Sequence, residues 1–419
     1  MRCTSCGFEN DRSAKRCGMC NEVLAKRGKG LLVLLASIFT IAAIVVVVYF
    51  TTDLLDGGSD RGTDTDEIVS DYETDEIVDD YDTDSSEDQI IDSEVPPTTS
   101  DLFAATGPGS DIHGAIHRIE YGDNVVYLFG TMHAAAPEWF PLSDVVEDAM
   151  RRADVFAFEL DLTFGSIEMD ELMEIVQFYE EAMFLPDKLT LADVLPEDVY
   201  EGIVEHIESF GRSYADIYQM NPIALGMELI AEVQAELFAE KGIYYDEQVG
   251  VDGYILDFAV RHEMPIIGLE PILQQLRIGF APDEEILTLA NFDGNLEDIM
   301  YDVFTAFTSR EELLEELREE GTVIYADYLY NDLETLIQGM EVTDEDLENE
   351  FTRYMIEVLM NFRSTYYAER IAELLQDTDE PTTFFVAVGI SHVIREGEHL
   401  TNIVEQLELR GITAEPIFE

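Results

Sequence analysis

Two histidines 259 positions apart sit in matching settings. Gly130-Thr131-Met132-His133 follows the apolar run Val125-Val126-Tyr127-Leu128-Phe129, and Gly389-Ile390-Ser391-His392 follows Phe384-Phe385-Val386-Ala387-Val388. Carboxylates occupy comparable places: Glu159 ends Asp154-Val155-Phe156-Ala157-Phe158, and Glu270 ends Pro265-Ile266-Ile267-Gly268-Leu269. Two imidazoles with one or two carboxylates suit a divalent metal that keeps open positions, and such an ion lowers the pKa of its bound water until hydroxide forms near neutral pH. One glutamate is then available as general base. A lone Gly-x-x-His reads as an ordinary histidine closing a strand. Repetition of the whole unit points instead to one shared site. The other histidines, His113, His117, His206, His262 and His399, read as surface or local structural residues.

A run of four to eight apolar, β-branched or aromatic residues reads as a strand buried on both faces, the habit of a parallel sheet. Glycine after the run permits a sharp turn, so each histidine is expected at the carboxyl edge of the sheet, where open α/β sheets gather their ligands. Residues 165 to 250 and 284 to 376 read as helical, with apolar positions three and four apart such as Ile203, Ile207 and Phe210, then Leu225, Leu229, Ile230 and Val233. Met227 and the other methionines scattered through these two stretches read as core filling. The fold class expected for 102–419 is α/β, a mainly parallel central sheet with a large helical insertion able to lid a cleft.

The N-terminal part reads differently. All four cysteines lie in residues 1–24 as Cys3-x-x-Cys6 and Cys17-x-x-Cys20, ten residues apart. Four thiolates at this spacing close a tetrahedral Zn²⁺ shell with no open position, a structural zinc ribbon rather than a catalyst. The competing assignment, two disulfides, needs an oxidising compartment. Leu31–Phe50 is an uncharged run of twenty residues within the span 30–51. At ~1.5 Å per residue that is long enough for a ~30 Å hydrocarbon layer. Lys26, Arg27 and Lys29 precede it and Asp53, Asp56 and Asp60 follow, so the positive-inside rule sets the amino terminus in the cytoplasm and the large domain outside a single-pass cell membrane anchor. The ribbon then faces an unknown cytoplasmic partner, in a compartment that keeps thiols reduced.

Residues 52–101 read as an acidic, disordered linker. Between Thr52 and Asp101 eighteen acids face the single base Arg61, too little apolar surface to fold. Seventy-two of the ninety acids lie elsewhere, so the folded part is itself anionic and the chain as a whole carries −67. That sign disfavours nucleic acid and favours cationic substrates, divalent ions or a cation-rich wall. There is no phosphate-cradling Gly-rich loop, no Gly-x-Ser-x-Gly elbow, no His-Glu-x-x-His helix, and no cysteine beyond Cys20 to serve as an outer thiol nucleophile.

The ordered set Leu128-Phe129-Gly130-Thr131-Met132-His133, Phe158-Glu159-Leu160-Asp161, Leu185-Pro186 leading to Thr190-Leu191 and Leu195-Pro196, Gly250-Val251-Asp252, Gly268-Leu269-Glu270 with Gln275, Asn361-Phe362-Arg363 and Val388-Gly389-Ile390-Ser391-His392 resembles the TraB/PrgY/GumN/Tiki family over about 110 to 418. The resemblance implies an α/β fold and, from animal members, metal-dependent proteolysis. It implies that His133 and His392 ligate a divalent ion (Mn²⁺, Co²⁺ or Zn²⁺) and that Glu159 is ligand or general base. Glu270 and Arg363 join the site, Arg363 as a charge stabiliser for substrate or oxyanion. Two positions depart from the family pattern: Ser364 stands where asparagine is usual, and Pro271 where threonine is common.

The expectation is therefore a membrane-anchored, extracytoplasmic, metal-dependent hydrolase acting on peptides or proteins. A noncatalytic surface protein that sequesters a peptide signal is the alternative from a different class. A metal-free hydrolase using histidine and glutamate directly is the third.

Overall fold

The computed structural model describes residues 114–417, apart from short breaks and the segments 205–217, 226–243 and 295–332. The cysteine ribbon, the apolar span, the acidic linker, His113, His206, Met227 and the helical positions Ile207, Phe210, Leu229, Ile230 and Val233 lie outside the described residues. Among the described residues no helix is long and apolar enough to cross a membrane.

The chain enters a hairpin: β1 (Ile116–Tyr121) and β2 (Asn124–Thr131) pair antiparallel across Gly122-Asp123. Gly122, at φ +62°, supplies the left-handed backbone that the tight connection needs. A two-residue β3 (Ala134–Ala135), helix α1 (Asp144–Arg152) and β4 (Val155–Phe158) follow. Then come α2 (Met169–Met183), the short α3 (Leu191–Val194), β5 (Tyr244–Tyr245) and α4 (Val251–Arg261). Next are β6 (Ile266–Gly268), α5 (Ile272–Phe280) and α6 (Glu284–Leu289). One continuous helical rod is built from α7 (Glu350–Tyr354), a π-helical segment (Met355–Phe362) and α8 (Arg363–Asp377). The fold closes with β7 (Thr383–Gly389), α9 (Ser391–Ile394), α10 (Ile403–Leu409) and β8 (Ala414–Pro416).

These strands form one mixed six-stranded sheet in the order β6-β4-β7-β2-β1-β8. The four strands expected from their apolar runs are all present and all mutually parallel, while β1 runs antiparallel to both β2 and β8. Consecutive residues of β2 and β7 are buried, Val126 through Phe129 and Phe384 through Val388, so both faces of the centre are covered, as continuous apolar runs require. Phe156, Phe385 and Phe129 adjoin across three strands with ring centroids 5.6 and 5.9 Å apart, and Phe258 of α4 meets Phe156 from above the sheet. A second apolar cluster joins α2, α5 and the rod, through Ile175, Leu276, Met355 and Leu359.

The helical readings of 165–250 and 284–376 hold only in part: among the described residues Phe184 and Met220 form an isolated antiparallel bridge and 292–294 is not helical. Tyr244–Tyr245 is extended and pairs with Ala134–Ala135 beside the first Gly-x-x-His turn. Of the named core positions, Ile203 and Leu225 are buried, as are Met355 and Met360, whereas Met169 and Met173 are exposed on α2.

Candidate functional site

Neighbouring parallel strands in the order β6, β4, β7 and β2 end in Glu270, Glu159, the turn to His392, and His133. The first Gly-x-x-His turn lies against the second, because β2 and β7 are adjacent with Thr131 opposite Gly389, and the Ile390 amide donates to the Thr131 carbonyl at 2.8 Å. Gly130 makes this contact possible: a Cβ there would lie 2.9 Å from Ile390 Cγ1 and 3.0 Å from its Cα. The carboxylate pair is interlocked in the same way, the Glu270 amide donating to the Glu159 carbonyl at 3.0 Å. Two turns whose histidines are 259 positions apart in the chain thus leave adjacent strands of one sheet.

Four side chains form a buried charge cluster beneath this edge. From the first turn of α8, Arg363 donates through Nε to Glu270 Oε1 at 2.9 Å and through Nη2 to Glu270 Oε1 at 2.5 Å and Glu159 Oε2 at 2.7 Å. Tyr367, one turn on, donates its hydroxyl to Glu270 Oε1 at 2.6 Å and also meets Arg363. The Gly389 amide donates to Glu159 Oε1 at 2.8 Å. Burial alone would raise the Glu159 carboxyl, but the Arg363 guanidinium, then His392 and His133, outweigh it and bring it down to about 2. Glu270 shifts the other way: burial and the Glu159 charge raise it more than Arg363 and Tyr367 lower it. One guanidinium thus serves two carboxyls whose proton affinities shift in opposite directions.

Each histidine meets an oxygen at Nδ1. His392 Nδ1 lies 2.8 Å from Ser364 Oγ in a buried hydrogen bond, and the ring stands edge-on to Tyr367 at 5.2 Å between centroids. His133 Nδ1 lies 2.9 Å from Asp252 Oδ2, and Thr131 donates its hydroxyl to the other oxygen of Asp252. Gly250 lets α4 begin here, since a Cβ would meet the Met132 carbonyl oxygen at 2.8 Å and the His133 Cα at 2.9 Å.

Asp252, Tyr367 and Ser364 are the site residues that sequence reasoning did not assign. Asp252 stood within a quoted motif and Ser364 was noted as a departure, but no spacing rule ties either to a particular histidine. Tyr367 carried no signal beyond its place one helical turn after Arg363. Asn361 turns out to be a brace: its Nδ2 donates to the His399 carbonyl and its Oδ1 accepts from the Thr401 amide, both at 2.8 Å. His262 stacks on Phe258 and His399 pairs with Asp344 at 2.9 Å, consistent with local structural roles. His117 lies on β1, where burial lowers its pKa.

Among the described residues no group of three or more His, Cys, Asp or Glu side chains is arranged to hold a metal ion. The two imidazoles nevertheless suit one. A ligating histidine is ordinarily oriented by a carboxylate or other oxygen at its second ring nitrogen, and both histidines have such an oxygen at Nδ1. Glu159, with one oxygen on Gly389 and the other on Arg363, is already engaged as a counter-charge.

Comparison with protein-family models matches residues 115–416 to the TraB/PrgY/gumN family. No curated protein and no solved structure matches the chain. The family match takes in both Gly-x-x-His turns, both glutamates and the arginine, and it spans well over half of the 419 residues, so the chain belongs to the TraB/PrgY/gumN family.

Proposed function

We propose that the protein is a metal-dependent hydrolase, a peptidase in its substrate class, displayed outside the cell on the apolar span Leu31–Phe50. The observation that carries this reading is that two histidines, each with an oxygen at Nδ1, and two carboxyls sharing one guanidinium lie at the ends of neighbouring strands of one sheet. His133 and His392 would hold the ion, which when bound supplies an acidified water at neutral pH. Glu159 stays ionised, because the Arg363 guanidinium holds its carboxyl down against the effect of burial. Glu270, with its raised proton affinity, is the group suited to hold or pass a proton, and Arg363 fixes both carboxyls in place. Peptide as substrate rests on the family resemblance, and the acidic chain suits cation-bearing segments. The ribbon Cys3, Cys6, Cys17 and Cys20 would hold a structural Zn²⁺ on the cytoplasmic side.

The test is turnover of a mixed peptide library by the purified full-length protein with Mn²⁺, Co²⁺ or Zn²⁺, beside His133→Ala and His392→Ala. Hydrolysis abolished in both variants supports the proposal, and undiminished turnover in both would sink it. Full activity after exhaustive chelation would favour the metal-free hydrolase.

Burial favours a second reading. Relative exposure is 0 % for His392, 1 % for Arg363, 4 % for Glu270 and 5 % for Glu159 and His133, so the cluster also suits a rigid support beneath a surface that captures peptide without cleaving it. Stoichiometric capture with intact peptide recovered would establish that reading.

A further inference from the structure

The two histidines differ in what holds them. His133 faces the carboxylate of Asp252 on α4, whereas His392 faces the neutral hydroxyl of Ser364 on α8. A hydroxyl carries one proton and two lone pairs, so at Nδ1 it either accepts from Nδ1–H or donates to a bare Nδ1. The choice decides the other end of the ring. Acceptance leaves Nε2 with its lone pair, and donation leaves Nε2 protonated and unable to ligate.

We infer that Ser364 is a positioning residue that fixes the tautomer and orientation of His392 by accepting a hydrogen bond from Nδ1–H, so that the ring presents a basic Nε2 to the shared site. The inference rests on the proposed metal reading for the direction of that hydrogen bond, and on geometry for the contact itself. Ser364 Oγ and His392 Nδ1 are 2.8 Å apart, and both residues are fully buried. In a low-dielectric setting a fixed hydrogen bond is stronger and its loss is not made good by solvent. The ring is confined on a second side by Tyr367, edge-on at 5.2 Å, so rotation about its axis is restricted by neighbours from one turn of one helix. Arg363, Ser364 and Tyr367 therefore act together, the first and third on the carboxyls and the second on the imidazole. Alanine at this position has no acceptor.

The experiment labels the histidines of the full-length protein with ¹⁵N and identifies His392 by its disappearance in His392→Ala. The wild type is expected to show a protonated Nδ1 and an unprotonated Nε2 at His392. Ser364→Ala should shift the balance toward the other tautomer and weaken binding of Mn²⁺, Co²⁺ or Zn²⁺ by about 10–100-fold, the usual effect of losing an outer partner. Ser364→Asn should keep the wild-type tautomer and most of the affinity. An unchanged tautomer in Ser364→Ala, or Nε2–H in the wild type, would overturn the inference whatever the ion does. A tautomer that switches as expected in a protein that binds no ion would uphold the positioning role and count against the metal reading instead.

Discussion

Arg363 is the residue on which the buried charges depend. It is 1 % exposed between two carboxyls, and taking away one partner of a buried ion pair destabilises by roughly 3–5 kcal/mol because the remaining charge has no compensation. Arg363→Met should lower the unfolding free energy in urea by about that amount, and adding Glu270→Gln should recover part of it. Acid stability follows from Glu159. Its folded pKa of about 2 lies below the ordinary 4.5, so its stabilisation is complete above the unfolded value and disappears as pH falls from about 4.5 toward 2. Glu270 runs oppositely, since folding favours its proton and its contribution is lost as pH rises through its elevated pKa. Glu159→Gln should therefore flatten the acid limb of a stability-versus-pH curve. A steep acid limb in that variant would place the titration elsewhere. Gln275 offers a contrast: it is buried on α5, and among the described residues neither its amide nitrogen nor its amide oxygen has a hydrogen-bond partner. Leaving such a group unsatisfied costs about 1–3 kcal/mol, so Gln275→Leu should raise the thermal midpoint. A fall in the midpoint would show that the amide is satisfied in solution.

Glycines decide how closely the elements approach. At Gly250 an added methyl would meet backbone atoms of Met132 and His133, whereas at Gly130 it would meet Ile390 partly through a side-chain carbon. Backbone yields less readily than a side-chain tip, so Gly250→Ala should destabilise more than Gly130→Ala, by at least the 1–3 kcal/mol typical of overpacking. Denaturant midpoints of the two variants check the order. These same elements show how far the sequence could be read. The four parallel strands were legible because each is a continuous apolar run, and the site edge was legible because each run stops at a glycine or glutamate. Strand β1 was missed because Ile116-His117-Arg118-Ile119-Glu120-Tyr121 mixes charge into a short run, and β8 because three residues ending in proline carry little pattern. Helices α4 and α5 were missed because their buried positions abut the apolar β6 run, leaving no clear break in period. Tyr244–Tyr245 is extended through pairing with Ala134–Ala135, a tertiary contact that outweighs the local helical pattern. Arg363, Glu159 and Glu270 could be named from motif order, but their shared ion pair could not, since it depends on where the π-helical segment sets the first turn of α8.

At the scale of the whole chain, the net charge of −67 sets the background for every local interaction. Like charges repel in the compact state, and salt screens them over a Debye length of about 10 Å at 0.1 M. Thermal midpoints of the full-length protein should therefore rise as sodium chloride is increased from low ionic strength, and a midpoint indifferent to salt would mean that the acids are already neutralised by bound cations or by pairing. An ion bound as proposed would be drawn by the same background toward the sheet edge from which the two Gly-x-x-His turns leave. The most direct measurement is the divalent metal content of the full-length protein, as wild type and with His133→Ala and His392→Ala, the cysteine ribbon being unaltered in all three. One ion per chain lost in each variant, beyond a constant ribbon contribution, is the expected result. Equal metal content in wild type and both variants would contradict a shared ion at the two Gly-x-x-His turns.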